Sequence, residues 1–281
     1  MELKKLFEPI KIGNIEVKNR IAMSPMTVGY AEDGRTGERF KHYLEERATG
    51  GVGLIRWPLW PYRSEHGYFP WVYDDKFIPG LRNVVEAVHA KDCKVISQLG
   101  VGYSWTFNNG RVEIVGPSGI SLLRTPGTPF RVGGPSSPDR MKERALSVDE
   151  IHQVVEGFGD AACRTREAGF DGIEIMAGQG YVISRFISPI TNQRTDEYGG
   201  SLENRMRLFR EIFQDIKKKA GNDFDIICRI SASQFMEGGY TLEDTLCQII
   251  PMMEDIGVSA IEVLRGWHES AAIPEASFQP S

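Results

Sequence analysis

A nine-residue unit occurs twice in this chain, as EAGFDGIEI at 167–175 and as DIGVSAIEV at 255–263. Each copy is a helix end, a glycine, a short turn and an apolar strand, and the two glycines lie 88 residues apart. That spacing suits two strand–helix units. Parallel strands cannot be joined by a tight hairpin and need a crossover, usually a helix. A chain that repeats this unit is therefore constrained to a parallel sheet covered by helices.

The remaining pattern has the same rhythm. Strands are expected at 20–26, 52–55, 94–99, 171–175, 226–230 and 260–264. Helices are expected near 37–49, 78–91, 147–169, 202–220 and 242–256, from apolar positions at helical spacing such as Leu81, Val84, Val85 and Val88. Ser147 and Glu150 form a capping box, and Pro251 should kink the last helix. Residues 8–18 alternate Ile10, Ile12, Ile15 and Val17 around Gly13-Asn14, a hairpin pattern. Residues 100–146, rich in Gly, Pro and Ser, are expected to leave the sheet as an excursion beyond a strand end. Two α/β architectures compete: an open doubly wound sheet and a closed (β/α)8 TIM barrel. No G-x-G-x-x-G follows the first strand, which favours the barrel. Only about six of its eight units are present. The 281 residues are therefore expected to be the N-terminal barrel domain of a longer protein, cut before strands 7 and 8, with further domains beyond.

Composition narrows the function. With 41% hydrophobic and 25% charged residues the chain can bury a sizeable core, and a net charge of −5 offers no basic face for nucleic acid. No apolar run reaches membrane-spanning length, and MELKKLFEPI has no secretory apolar core. Cys93, Cys163, Cys228 and Cys247 form no C-x-x-C pair, so neither a metal site nor a disulfide framework is expected, and the cysteines are read as small buried hydrophobes. A cytoplasmic location follows from that reading. Chemistry is expected in the stretch 168–207. There an apolar strand runs into a polar loop holding Tyr181, Arg185, Asn192, Gln193, Arg194, Asp196 and Tyr198.

The strand ends SPMT (24–27), GGVGLI (50–55), SQL (97–99), CRIS (228–231) and GWHE (266–269), with TNQRTDEYGGSLENR (191–205), carry a resemblance. Together they resemble the old yellow enzyme (NADH:flavin oxidoreductase) family of FMN-dependent barrels. Met176, Gln179 and GYV, together with GWHE, are most similar to its branch of 2,4-dienoyl-CoA, enoyl-CoA and aryl-CoA reductases. The resemblance implies FMN contacts at Pro25, Met26, Thr27, Pro58, Gln98 and Arg229. Donor and acceptor groups at Thr27 and Gln98 suit the edge of a flavin ring, and Arg229 offers a cation where reduced flavin gathers negative charge. It implies a proton-donating Tyr181 assisted by His268, and substrate contacts at Met176, Gln179, Thr191, Asn192, Gln193 and Glu269. A second reading of 191–205 is a loop knitted by an Arg194–Asp196 pair. Further implications are NAD(P)H as reductant, a small acyl-CoA substrate, and a 4Fe-4S cluster and FAD in a C-terminal part outside these residues.

Two departures bear on the substrate. Most of the wider family carries a His-x-x-His or His-x-x-Asn pair that grips the carbonyl oxygen of simple enones and quinones. Here Met176 and Gln179 stand at those positions, which points towards a thioester. RWPLWP replaces the usual turn after the second strand, and Trp57 or Trp60 is expected to form an aromatic wall. If Trp57, Trp60 and Trp105 line a wide pocket, a ring-reducing aryl-CoA reductase is favoured. A flavin-free barrel acting as a binding module is the alternative from another class.

Overall fold

The computed structural model describes residues 3–63, 67–100, 102, 104–107, 110, 112–120, 143–268 and 270. A hairpin of β1 (Ile10–Ile12) and β2 (Ile15–Val17) comes first, paired antiparallel as Ile10↔Val17 and Ile12↔Ile15. The main sheet then collects β3 (Ala22–Met23), β4 (Leu54–Leu59) and β5 (Lys94–Leu99). After three strands of the excursion, β6 (Ser104–Thr106), β7 (Val112–Gly116) and β8 (Arg144–Ala145), it adds β9 (Gly172–Ala177), β10 (Asp225–Ser231) and β11 (Ala260–Leu264).

Its spatial order is β11-β10-β9-β5-β4-β3, with every pair parallel. The order follows the chain without a reversal. A doubly wound sheet needs such a reversal, so that alternative falls. Right-handed crossovers in one direction put all helices on one side, and the sheet curls away from them. The fold is α/β, with a curled parallel sheet of the (β/α)8 barrel type.

Alternation along the strands separates two faces. Ile55, Trp57, Leu59, Val95, Leu99, Ile173, Ile175, Ile226, Cys228 and Ile230 join the large core under the helices. Leu54, Ile96 and Ile227 turn to the concave side and meet Ile15 and Val17 of the hairpin in a second cluster. The hairpin thus plugs the end of the sheet where the strands begin. Gly13 sits at φ +58° in its turn, and a Cβ there would lie 2.0 Å from Asp225 Oδ1. Only glycine meets both demands.

The helices follow their apolar spacing. α1 (Glu38–Thr49) buries Phe40, Leu44 and Ala48, and α2 (Ile78–His89) buries Ile78, Leu81, Val84, Val85 and Val88. α3 (Val148–Glu167) starts with the Ser147–Glu150 capping box. After β9 comes α4 (Val182–Ile187), in a stretch read as loop; its apolar run is too short for periodicity to reveal. α5 (Leu202–Arg205) and α6 (Arg207–Ala220) replace one long helix, with a break at Met206. α7 (Leu242–Asp244) and α8 (Ile250–Ile256) are joined by a π turn, Thr245–Ile249, just before Pro251. The proline has no N–H to donate, and the widened turn is how this helix meets it. Cys93 and Cys228 are buried, but Cys163 and Cys247 are exposed, so only two of the four behave as core hydrophobes. Among the described residues no helix is long and apolar enough to cross a membrane.

Candidate active site

Above the hairpin plug, the concave face changes character. Arg56 on β4, Gln98 on β5, Glu174 on β9, Arg229 on β10 and Glu262 on β11 form one polar layer. Gln98 Nε2 donates to Glu174 Oε1 at 2.6 Å. Glu174 Oε2 lies 3.4 Å from an Arg56 terminal nitrogen, which also pairs with Glu262. Arg229 Nε stands 3.3 Å from Glu262 Oε2, within ion-pair range but without the alignment of a hydrogen bond. Burial pushes the Glu174 carboxyl above its ordinary value, against the pull of Arg56, Gln98 and Arg229. Burial also lowers both guanidinium groups, Arg56 and Arg229. Charges at this density, with Glu174 buried and Arg56, Arg229 and Glu262 half-buried, are costly to hold and are paired here across four strands.

This layer is the part of the site that sequence reading missed, apart from Gln98 and Arg229. The signal was present. LIRWPL, GIEIMA and AIEVL each carry one ionisable residue inside an apolar strand, at the inward-facing position. Residues of these types are seldom fully buried unless paired.

One step further along the strands lies the mouth. Pro58 is the Cα partner of Gln98 across β4 and β5, and Met176 is the partner of Arg229 across β9 and β10. Pro25 is half-buried on the segment after β3, while Met26 and Thr27 are exposed. The turn after β9 is tight. Gln179 takes φ +61° and Gly180 φ +83°, and the Gln179 amide donates to Ser231 Oγ at 3.0 Å. A non-glycine residue in this region is uncommon and signals a backbone held by its surroundings.

The turn delivers Tyr181 to the start of α4. Behind it, Arg185 is fully buried, donates to Gly180 O at 2.7 Å and pairs with buried Glu143. Arg185 therefore anchors the helix and does not face the mouth. His268 meets the same turn from the other side, its amide 3.4 Å from Gln179 O. The Tyr181 and His268 rings stand edge to face, 5.4 Å apart between centroids. Burial lowers the His268 pKa, which keeps its imidazole neutral at neutral pH. Tyr181 is also within electrostatic range of Arg229.

The loop that follows is a knit. Thr191 Oγ1 donates to Arg185 O at 2.7 Å, and Asn192 Nδ2 donates to Phe186 O and Tyr198 O, both at 2.7 Å. Both residues are buried. Arg194 forks onto Asp196 and reaches Pro117 O and Leu146 O. Gln193 stays near the surface, its amide 2.8 Å from Ser118 Oγ. The Arg194–Asp196 pair read from the sequence is thus present. Glu269 lies outside the described residues.

The aromatic wall is corrected in part. Trp57 is 1% exposed on the helix side of the sheet, packed against Phe40 at 4.9 Å and Phe170 at 5.6 Å. An odd position on β4 points away from the concave face, so Trp57 cannot line the mouth. Trp105 is likewise buried, stacked over Phe158. Trp60 is only half-buried and stacks on Phe69 at 4.4 Å.

This geometry can be set beside known proteins. The model of the NADH:flavin oxidoreductase / NADH oxidase family matches residues 5–277. An NADPH dehydrogenase of Halalkalibacterium halodurans is 36% identical over 277 residues, covering 96% of this chain and 75% of that protein. An NADH oxidase of Thermoanaerobacter brockii is 39% identical over 270 residues, covering 94% of this chain but 40% of that protein. The chain thus spans about two-fifths of that relative's length. The solved complex of 2-naphthoyl-CoA reductase with 2-naphthoyl-CoA aligns at a TM-score of 0.83 and 28% identity, covering 95% of this chain and 41% of that one. On these matches and this barrel, the chain belongs to the NADH:flavin oxidoreductase / NADH oxidase family.

Proposed function

We propose that this chain is the FMN-binding barrel domain of an NAD(P)H-dependent ene-reductase that saturates a conjugated C=C bond of an acyl-CoA thioester. The observation that carries the reading is the mouth. Tyr181 and His268 stand ring to ring above a layer that contains Gln98 and Arg229. The buried Arg229 Nε without an aligned acceptor fits a site built to receive an anionic or electron-rich group. Pro25, Met26, Thr27, Pro58, Gln98 and Arg229 would hold the flavin.

Held there, the flavin would be the source of hydride for one carbon of the double bond, with NAD(P)H as the electron donor. The neighbouring carbon needs a proton. The Tyr181 hydroxyl holds that proton without carrying charge beforehand and becomes a tyrosinate on giving it up. Arg229 lies within electrostatic range to stabilise that anion. His268, packed on the tyrosine ring, can relay a proton from solvent back to the tyrosinate, taking it up on one ring nitrogen and releasing it from the other.

Met176 and Gln179 are assigned to the substrate side, and Gln193 and Glu269 are proposed as further substrate contacts. Thr191 and Asn192 are buried with their side chains bonded to backbone carbonyls, so their proposed part is to hold the loop behind the mouth and not to touch substrate. A thioether at Met176 is a poor hydrogen-bond partner, which supports a thioester in preference to a simple enone. The likeness to the 2-naphthoyl-CoA reductase complex favours a second reading within the branch, an aryl-CoA substrate. The length of such relatives beyond the matched part leaves space for the iron–sulfur and FAD domains that the branch resemblance implies.

Half-reactions test the tyrosine. In Tyr181→Phe, flavin reduction by NAD(P)H should be unchanged, while reoxidation by an enoyl-CoA slows by roughly 10²–10⁴-fold. Equal reoxidation rates with flavin still bound would remove Tyr181 as the proton donor.

A further inference from the structure

Arg56 is the residue of the polar layer with the most connections. Its Nε lies 3.4 Å from Met23 O, and one terminal nitrogen lies 3.2 Å from Ser24 Oγ, one residue before Pro25. The other terminal nitrogen is 3.4 Å from Glu174 Oε2, and Glu174 in turn holds Gln98 at 2.6 Å. That same nitrogen pairs with Glu262, the carboxylate beside Arg229. Pro58 lies two residues along the same strand. One guanidinium therefore links the 23–27 segment, Gln98 and Arg229, which come from three separate strand ends. A planar fork of five N–H donors can span these directions, and a lysine ammonium cannot.

We infer that Arg56 is a positioning residue for the flavin: it fixes the segment leading to Pro25–Thr27 against the Glu174–Gln98 and Glu262–Arg229 pairs, and it balances the charge of the layer. The inference rests on the FMN reading above. Arg56 and Arg229 oppose Glu174 and Glu262, two cations against two acids. Without Arg56 the layer gains net negative charge, and Glu262 acts on Arg229 alone. Both changes disfavour the negative charge that reduced flavin gathers.

The test is FMN affinity and flavin midpoint potential in the intact protein carrying Arg56→Lys, Arg56→Met and the pair Arg56→Met/Glu262→Gln. Arg56→Lys keeps the charge but loses the hold on Met23 and Ser24, so the FMN Kd should rise about tenfold with little change in potential. Arg56→Met should also lower the potential, and adding Glu262→Gln should bring it back. A purely structural role would move folding stability and leave both flavin readouts alone. Wild-type FMN affinity in Arg56→Lys would overturn the inference, and that variant decides alone if Arg56→Met does not fold. A parent protein that takes up no FMN would instead sink the functional reading.

Discussion

The two ends of this sheet treat polar groups in opposite ways. At the end where the strands begin, the carboxylates of Asp225 and Asp171 have direct donors. Asp225 accepts from the Asn14 amide at 2.7 Å and from Ser259 Oγ at 2.8 Å, tying the hairpin to β10 and β11. Asp171 accepts from the Val95 amide and Lys94 and contacts His89, and despite its burial these partners hold its carboxyl below the ordinary value. At the end where the strands finish, charges share partners, Arg229 Nε and Glu262 Oε2 lack aligned ones, and Gln179 carries a positive φ. One end is built to stay folded. The other holds polar groups and a strained turn where a ligand can use them.

The division can be broken by substitution at either end. The largest effect on stability is expected at the closed end. Asp225→Ala leaves two donors without an acceptor and should cost about 3 kcal/mol, read as a lower urea midpoint. Flavin content and turnover of the folded fraction should stay as they were. Lost flavin at unchanged stability would put the functional end in the wrong place.

At the open end, His268→Gln should slow enoyl-CoA-dependent reoxidation about tenfold, with stability within ~0.5 kcal/mol. The same residue sets a pH dependence. Burial lowers its folded pKa, so the neutral ring persists below the ordinary histidine value of ~6.5. The stability it permits is present above the unfolded value and is lost as pH falls through the folded one. Turnover should accordingly show an acid limb below that of a free histidine, absent in His268→Gln. The smallest effect is at the turn. Gln179→Gly relieves a non-glycine residue at φ +61° and should change stability by under ~1 kcal/mol, because relief and chain entropy oppose each other.

Much of the architecture was legible before the structure. The β5 and β11 bounds, the α3 capping box and the hairpin turn all rest on local signals, apolar spacing and turn chemistry. The 100–146 excursion was legible as such, but α4 and the strands β6, β7 and β8 within it were not, because α4 and the β7–β8 pair are held by long-range contacts. Arg185 pairs with Glu143, 42 residues earlier, and no local pattern announces that. The same limit applied to the site. Tyr181, His268, Gln98 and Arg229 were reachable through family motifs, whereas Arg56, Glu174 and Glu262 matter only through the register that aligns them. Trp57 shows the reverse error: an aromatic near a strand end looks like a pocket wall until strand parity turns it outward.

The proposed reaction at the open end is reduction of a conjugated thioester with electrons from NAD(P)H through bound flavin. Its most direct test is anaerobic reduction of the intact protein by NADH or NADPH, followed by reoxidation with enoyl-, dienoyl- and aryl-CoA esters beside simple cyclic enones. The nicotinamide should bleach the flavin absorbance, and the absorbance should return fastest with one of the CoA thioesters. Fastest return with a simple enone, or a purified protein without flavin absorbance, would contradict it.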